Sequence, residues 1–377
     1  MKILATFLYV FMAMLFFSSC KNNAPIADYE KMVIAYVFPG NRLLLENEID
    51  ATKLTHINYA FANIINNRVV EGFDNDSANL ATLVRLREKN PHLKILISVG
   101  GWTWSGMFSD MALTAQTRAI FIESAIEFVK KHRLDGLDID WEFPGLPGNN
   151  NIHRPVDKQN FTALMRETRK ALDEASTPGQ PLLLTIAAGA FNDYLLNTEM
   201  DLVEDYLDFV NIMTYDFHGE WNDFTGHHTN LRAPAHNPQA NSMENSVELF
   251  LKAGVPAEKI VVGVAFYGRG WNQVGPLNNG LGQPARGLPD VDLNYHNIVR
   301  SFLTNPAFEQ HFDTSASAPF LWNPNERIFI TYEDPRSIQA KAAFVKENNL
   351  GGAMFWQYFG DYQKELLRAL YEGMKSK

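Results

Sequence analysis

From residue 32 onward the chain repeats one unit: a short, nearly continuous apolar run rich in β-branched and aromatic residues, followed by an amphipathic stretch. The apolar runs span 33–38, 56–64, 94–100, 134–143, 182–188, 209–215, 260–267 and 351–357. Between them, 115–132, 158–175, 242–253 and 335–348 carry apolar residues at three- and four-residue spacing, the period of a helix with one buried face. Strands that are apolar on both sides need cover on both sides, and a crossover helix supplies it while returning the chain for another parallel strand. Eight such units predict an α/β fold, a closed (β/α)8 TIM barrel rather than an open sheet. One gap departs from the pattern. Residues 269–331 are rich in Pro, Asn, Gly and aromatics, with a single helical pattern at 295–303, and are expected to form a small α+β insertion between strand seven and helix seven. A connection of that length is usually functional.

Charge narrows the partners. Lys and Arg number 33 against 43 Asp and Glu, a formal net charge of −10, which repels nucleic acid and anionic headgroups. No dense basic run offers a phosphate-binding face, so no nucleic acid partner is expected. The N-terminus reads as an export signal: Lys2 is followed by an uncharged, mostly apolar stretch over 3–17 and then Ser18-Ser19-Cys20. That run is short for a membrane span and suits a signal-peptide core. The small pair before Cys20 resembles a bacterial lipobox, so 1–19 are expected to be removed, Cys20 lipidated, and 20–31 left as a tether. The expected location is the bacterial cell envelope, with the lipid as the only contact with the membrane, and a monomer is expected. Cys20 is the only cysteine, which leaves no disulfide framework, thiolate cluster or catalytic thiol.

The fourth apolar run carries the chemistry. It reads Asp135-Gly136-Leu137-Asp138-Ile139-Asp140-Trp141-Glu142. Side chains alternate along a strand, so Leu137, Ile139 and Trp141 face the helices while Asp138, Asp140 and Glu142 line the barrel interior. Glu142 stands nearest the C-terminal mouth, where barrel active sites sit. Like charges so close cannot all ionise, so at least one pKa rises, and a carboxyl kept protonated near neutral pH is what a general acid requires. A hard-cation site is the alternative, but the other strand ends supply aromatics rather than oxygen ligands. We expect no metal and no cofactor.

Asp135 to Glu142 spells DxxDxDxE, and the chain resembles the family 18 glycoside hydrolases, the chitinases, from Val33 to Tyr362. Ser98-Val99-Gly100-Gly101-Trp102 resembles their SxGG segment, and Met213-Thr214-Tyr215-Asp216 their MTYD segment. Phe266-Tyr267-Gly268-Arg269-Gly270-Trp271 and Gly351-Gly352-Ala353-Met354-Phe355-Trp356 resemble their last two barrel strands. The insertion resembles that of the deep-groove subgroup, which makes 32–377 the catalytic domain. The resemblance implies hydrolysis of β-1,4-linked N-acetylglucosamine in chitin and chito-oligosaccharides, with retention, through attack by the substrate's own acetamido oxygen. Glu142 would be proton donor, Asp140 would hold the acetamido N–H, Asp138 would share a proton with Asp140, and Tyr215 would bond the acetamido oxygen. Asp216 would contact the acetamido group or the acids.

Pyranose rings stack on aromatic faces, and the resemblance assigns Trp356 to the floor under the reacting sugar. Trp102 and Trp221 are placed on the leaving-group side, with Tyr267 and Arg269 on the non-reducing side. Tyr36, Phe61 and Ser98 are expected on the inner wall, Tyr36 and Ser98 also bonding Asp138. Gly100, Gly101, Thr103, Phe143 and Met213 complete the set of expected sugar-binding positions. Trp104 and Trp271 are left open between sugar platform and core packing. His227-His228 is read as part of a polar surface loop, and Gln357 is given no role. Two other functions share the acidic strand: an endo-β-N-acetylglucosaminidase acting on N-glycans, and a non-catalytic chitin-binding lectin. The retained Glu142 weighs against the lectin.

Overall fold

The computed structural model describes residues 31–288 and 291–375. The expected signal segment, Cys20 and all of the tether before Lys31 lie outside the described residues. Eight parallel strands close a ring: Met32–Val37, His56–Ile65, Lys94–Gly100, Gly136–Asp140, Leu183–Gly189, Phe209–Met213, Ile260–Ala265 and Gly352–Trp356. They are barrel strands one to eight below. Strand one pairs with strand two, Ile34 opposite His56, and with strand eight, Met32 opposite Gly352. The chain therefore forms the expected TIM barrel, and closure leaves the ring without an edge.

Alternation along the strands sorts two cores. In strand one, Val33, Ala35 and Val37 pack into the layer between barrel and helices, whereas Ile34 and Tyr36 point into the lumen. There they meet Ala60, Phe209, Val261 and Met354, an apolar plug. In strand four, Leu137 and Ile139 join the outer layer with Trp141 just beyond them, so Asp138 and Asp140 face inward. The helices Ala115–His132, Asp157–Ala175, Met243–Lys252 and Pro335–Glu347 cover the barrel where the periodicity places them. Two start on capping boxes, Thr114 with Thr117 and Asp334 with Ser337, which satisfy the free amides of a first turn.

The stretch after strand seven builds a second, five-stranded antiparallel sheet, ordered Arg286–Gly287, Arg269–Asn272, Ile328–Thr331, Ala318–Asn323 and Glu309–Asp313. The helical pattern at 295–303 becomes one α-turn, Tyr295–Ile298, running into a π-turn, Val299–Leu303. Trp271, Val274, Phe320, Trp322 and Phe329 give the sheet its own core. Trp271 is fully buried there and its Nε1 donates to the carbonyl of Asn222, so it is a packing residue and not a sugar platform. A buried ion pair fastens this region to the barrel. Lys341 pairs with Glu333, both at most 1% exposed, and its ammonium also donates to the Thr229 hydroxyl at 2.9 Å.

Candidate active site

At the C-terminal mouth the barrel opens into a cleft of about 1340 Å³. Strand four delivers the acids to it. The regular strand ends at Asp140, but alternation continues: Trp141 is buried on the outside against Phe108, rings 5.2 Å apart and nearly parallel, and Asp140 and Glu142 line the cleft. Gly100 makes room for this turn. Its φ is +108°, and a Cβ there would lie 2.3 Å from the Asp140 carbonyl oxygen, so only glycine fits.

The three acids sit in different surroundings. Asp138, wholly buried, accepts from the Tyr36 hydroxyl at 2.9 Å and Ser98 Oγ at 2.7 Å on one oxygen, and from Thr185 Oγ1 at 2.5 Å and Asn211 Nδ2 at 3.3 Å on the other. Register explains the cluster, since Ser98, Asp138 and Thr185 are cross-strand neighbours. Burial raises the Asp138 pKa, and the four donors oppose that by stabilising the anion. All four donors come from other strands, and the Asp138 charge in turn raises Asp140, so the two carboxyls act on each other. Asp140 is the opposite case, buried with an Oδ1 that has no hydrogen-bond partner within the protein. Burial raises its pKa well above the carboxylate range, and the neighbouring Glu142 and Asp138 charges raise it further. The Glu142 carboxyl is pushed up to about 8, first by burial and then by the Asp216 charge.

Asp216 follows strand six with φ +58°. It accepts from Arg269 on both oxygens, each at 2.8 Å, and from the Tyr267 hydroxyl at 2.8 Å. Burial alone would raise it, but the His228 ring and the Arg269 guanidinium outweigh burial and hold it below the usual carboxylate range. Glu142 thus carries a proton at neutral pH beside an aspartate that does not, which is the separation an acid catalyst needs.

Tyr215 lies two residues beyond strand six and reaches back into the lumen against Met354, Oη 3.9 Å from its sulfur. Strand seven admits the ring because position 263 is glycine; a Cβ there would come 2.7 Å from it. Trp356 forms the floor, with Phe61 stacked on it at 5.5 Å and 18° and Tyr36 at 6.0 Å. Trp102, 52% exposed, approaches Phe143, and Thr103 and Met213 line the same cleft. Ser98 is wholly buried with its hydroxyl committed to Asp138, and Gly101 is covered by Phe61. Both support the wall from behind instead of facing a ligand.

The Arg269 guanidinium lies 4.9 Å from the Trp221 ring and 5.3 Å from Tyr267, a cation–π arrangement. Glu220 takes the other arm of Arg269 at 2.9 Å. Trp221, Tyr267 and Arg269 therefore form one wall. His227-His228 is no surface loop, since both rings are buried. His228 lies 5.2 Å from Tyr267 and 3.7 Å from Asp216, held there because the 227–230 segment is pinned by Lys341 and Glu333. Gln357 caps a short turn, its Oε1 accepting from Phe359 N. Sequence reasoning missed Thr185 and Asn211, although polar residues at inward positions of two apolar strands were a usable signal. It also missed Phe38, Phe73 and Phe191, and Trp104 proves to line the cleft with them. These aromatics lie beyond strand ends, where periodicity carries no information.

The Glycosyl hydrolases family 18 model matches residues 30–361. Over 86% of its length the chain is 37% identical to Chitinase A1 of Niallia circulans, of which it spans about half, 55%. A solved family 18 N-acetylglucosaminidase from Paenibacillus barengoltzii superposes with a TM-score of 0.84 at 41% identity, covering 91% of this chain and 99% of that one. A class V chitinase of Nicotiana tobaccum, solved in complex with NAG4, gives a TM-score of 0.82 at 27% identity over 92% of this chain and 99% of its own.

Proposed function

Because this chain belongs to glycosyl hydrolase family 18, we propose that it is a chitinase, cleaving β-1,4-N-acetylglucosamine linkages with retention. One observation carries the reading: a protonated Glu142 and a partnerless Asp140 side by side in an aromatic cleft floored by Trp356.

In the proposed reaction Glu142 donates its proton to the glycosidic oxygen while the acetamido oxygen attacks C1. The C1–O bond breaks, its electron pair stays with the departing oxygen, and a cyclic oxazolinium forms. As the acetamido group arrives Asp140 hands its proton to Asp138, and the resulting carboxylate accepts the acetamido N–H and balances the positive charge. Tyr215 donates to the acetamido oxygen and holds it in line. The Glu142 carboxylate then takes a proton from water, which adds to C1 and reopens the ring with two inversions, hence net retention. Asp138 does not touch the sugar; it fixes strand four and shares a proton with Asp140.

The pH profile follows from Glu142. A general acid works only while protonated, so kcat/KM is expected to fall as pH rises through about 8. Asp216→Asn removes the charge that helps hold that proton, so its alkaline limb is expected at lower pH. Rates against pH on a chromogenic chitobioside check this, and an unmoved limb would contradict the coupling.

The direct test of function is a product time course on chitohexaose beside a high-mannose glycoprotein. Chitohexaose is expected to be cut and the glycoprotein left intact; the reverse would make the enzyme an endo-β-N-acetylglucosaminidase. A second reading, removal of single N-acetylglucosamine units, is favoured by the likeness to the Paenibacillus enzyme, and would give monosaccharide from the first time point. Export and anchoring through Cys20 rest on the Ser18-Ser19-Cys20 segment. The same assay on cell fractions addresses them, with activity expected in the membrane fraction and released to the soluble one by Cys20→Ala.

A further inference from the structure

A second cavity, of about 290 Å³, opens between the loop that follows strand six and the inserted sheet. Its rim is exposed: Phe224 is 53% accessible, and His236 and Asn237 lie in the open beside it. Its floor is buried and polar, with His227 only 3% exposed and Asn230 1%. Gly282 of the insertion closes one side. Nothing in the proposed hydrolysis uses this cavity.

His227 shows what the floor asks of a ligand. Its Nε2 lies 3.2 Å from Asp313 Oδ2, and an ionised carboxylate can only accept, so Nε2 carries the hydrogen. That leaves Nδ1 as a lone pair. It is buried and has no hydrogen-bond partner in the protein, so a fitting ligand brings an O–H or N–H to it. Burial holds His218 and His227 below the ordinary histidine value, so these two rings favour the neutral form and do not recruit an anion. The histidines do not make a metal centre either: among the described residues no three His, Cys, Asp or Glu side chains converge closely enough to hold an ion. An exposed aromatic face beside convergent polar groups, in a space for one ring, is how proteins bind a neutral sugar.

Trp221, on the cleft wall, precedes Phe224 by three residues, so their backbones are no more than about 11 Å apart. We propose that this cavity is a secondary sugar site, taking one N-acetylhexosamine unit of a chain that extends past Trp221. Phe224 stacks on the ring, and His227 Nδ1 accepts from a hydroxyl or acetamido N–H. The site rests on the chitin reading for the identity of the sugar, and it would act on long or insoluble chains and not on short substrates.

The test uses the full chain as Glu142→Gln, titrated with N-acetylglucosamine and with chitotetraose while the imidazole signals of His218 and His236 are followed by NMR. Saturable shifts are expected, and adding Phe224→Ala is expected to weaken that binding roughly threefold to tenfold. In the catalytically intact protein, Phe224→Ala is expected to slow hydrolysis of insoluble chitin while leaving kcat/KM on a chromogenic chitobioside unchanged. Histidine signals that neither sugar moves, or that only zinc moves, would overturn the site. Loss of chitohexaose cleavage by the wild type would instead bring down the chitinase reading, so the two failures are told apart.

Discussion

Glu142→Gln is expected to fold normally, to bind chito-oligosaccharides, and to lose turnover by roughly 10²–10⁴-fold. Glutamine keeps the size of the side chain and its ability to hydrogen-bond the glycosidic oxygen, but has no proton to transfer and cannot serve as base toward water. The loss should fall on kcat with little change in KM, the signature of an interaction made only in the transition state. Stability should move the other way. Burial and Asp216 raise the Glu142 pKa to about 8, above its unfolded value, so the folded state prefers the protonated acid. That preference is fully present below the unfolded pKa and is lost as pH rises through about 8. Glutamine cannot ionise, so thermal unfolding of the variant is expected to match the wild type at pH 5 and to exceed it at pH 9. An unchanged rate would remove Glu142 from the chemistry, and a collapsed fold would show that the carboxyl is structural.

The barrel was legible because the lumen and the helix layer both demand apolar residues, so its strands stand out as runs separated by helical periods. The acidic strand was legible for the related reason that three carboxylates at period two, among apolar residues that must face the helices, leave only the interior. The site around it was only partly legible. Donors to Asp138 come from strands one, three, five and six, and their convergence depends on register, which a period does not fix. The partners of Arg269 were not legible because it begins the inserted sheet, whose pairing turns its side chain toward Trp221 and Asp216. His228 looked like loop because its segment is polar, and its burial depends on Lys341 and Glu333 more than a hundred positions away in the sequence.

Asp140→Asn is expected to cost roughly 10²–10³-fold in kcat. Asp140 sits between Asp138 and Glu142, and its Oδ1 finds no partner in the protein, which is affordable if a substrate N–H comes to it. In the transition state that N–H becomes more acidic as the acetamido oxygen gives up electron density to C1, so the carboxylate gains most when the barrier is highest. Asparagine can still present an oxygen but not the charge. Tyr215→Phe, which removes the hydroxyl on the other side of the acetamido group, should not add fully to Asp140→Asn, since both act on one group.

The role given to the acetamido group makes the most exposed claim, because it moves the nucleophile from the protein to the substrate. Nitrophenyl chitobioside and nitrophenyl cellobioside, given to one wild-type preparation, differ at the reacting ring in whether position 2 bears the acetamido group. Nitrophenol should be released from the chitobioside and not, above background, from the cellobioside. Comparable release from both would mean that the protein supplies the nucleophile itself, and the assignment of Asp140 and Tyr215 to the acetamido group would fall.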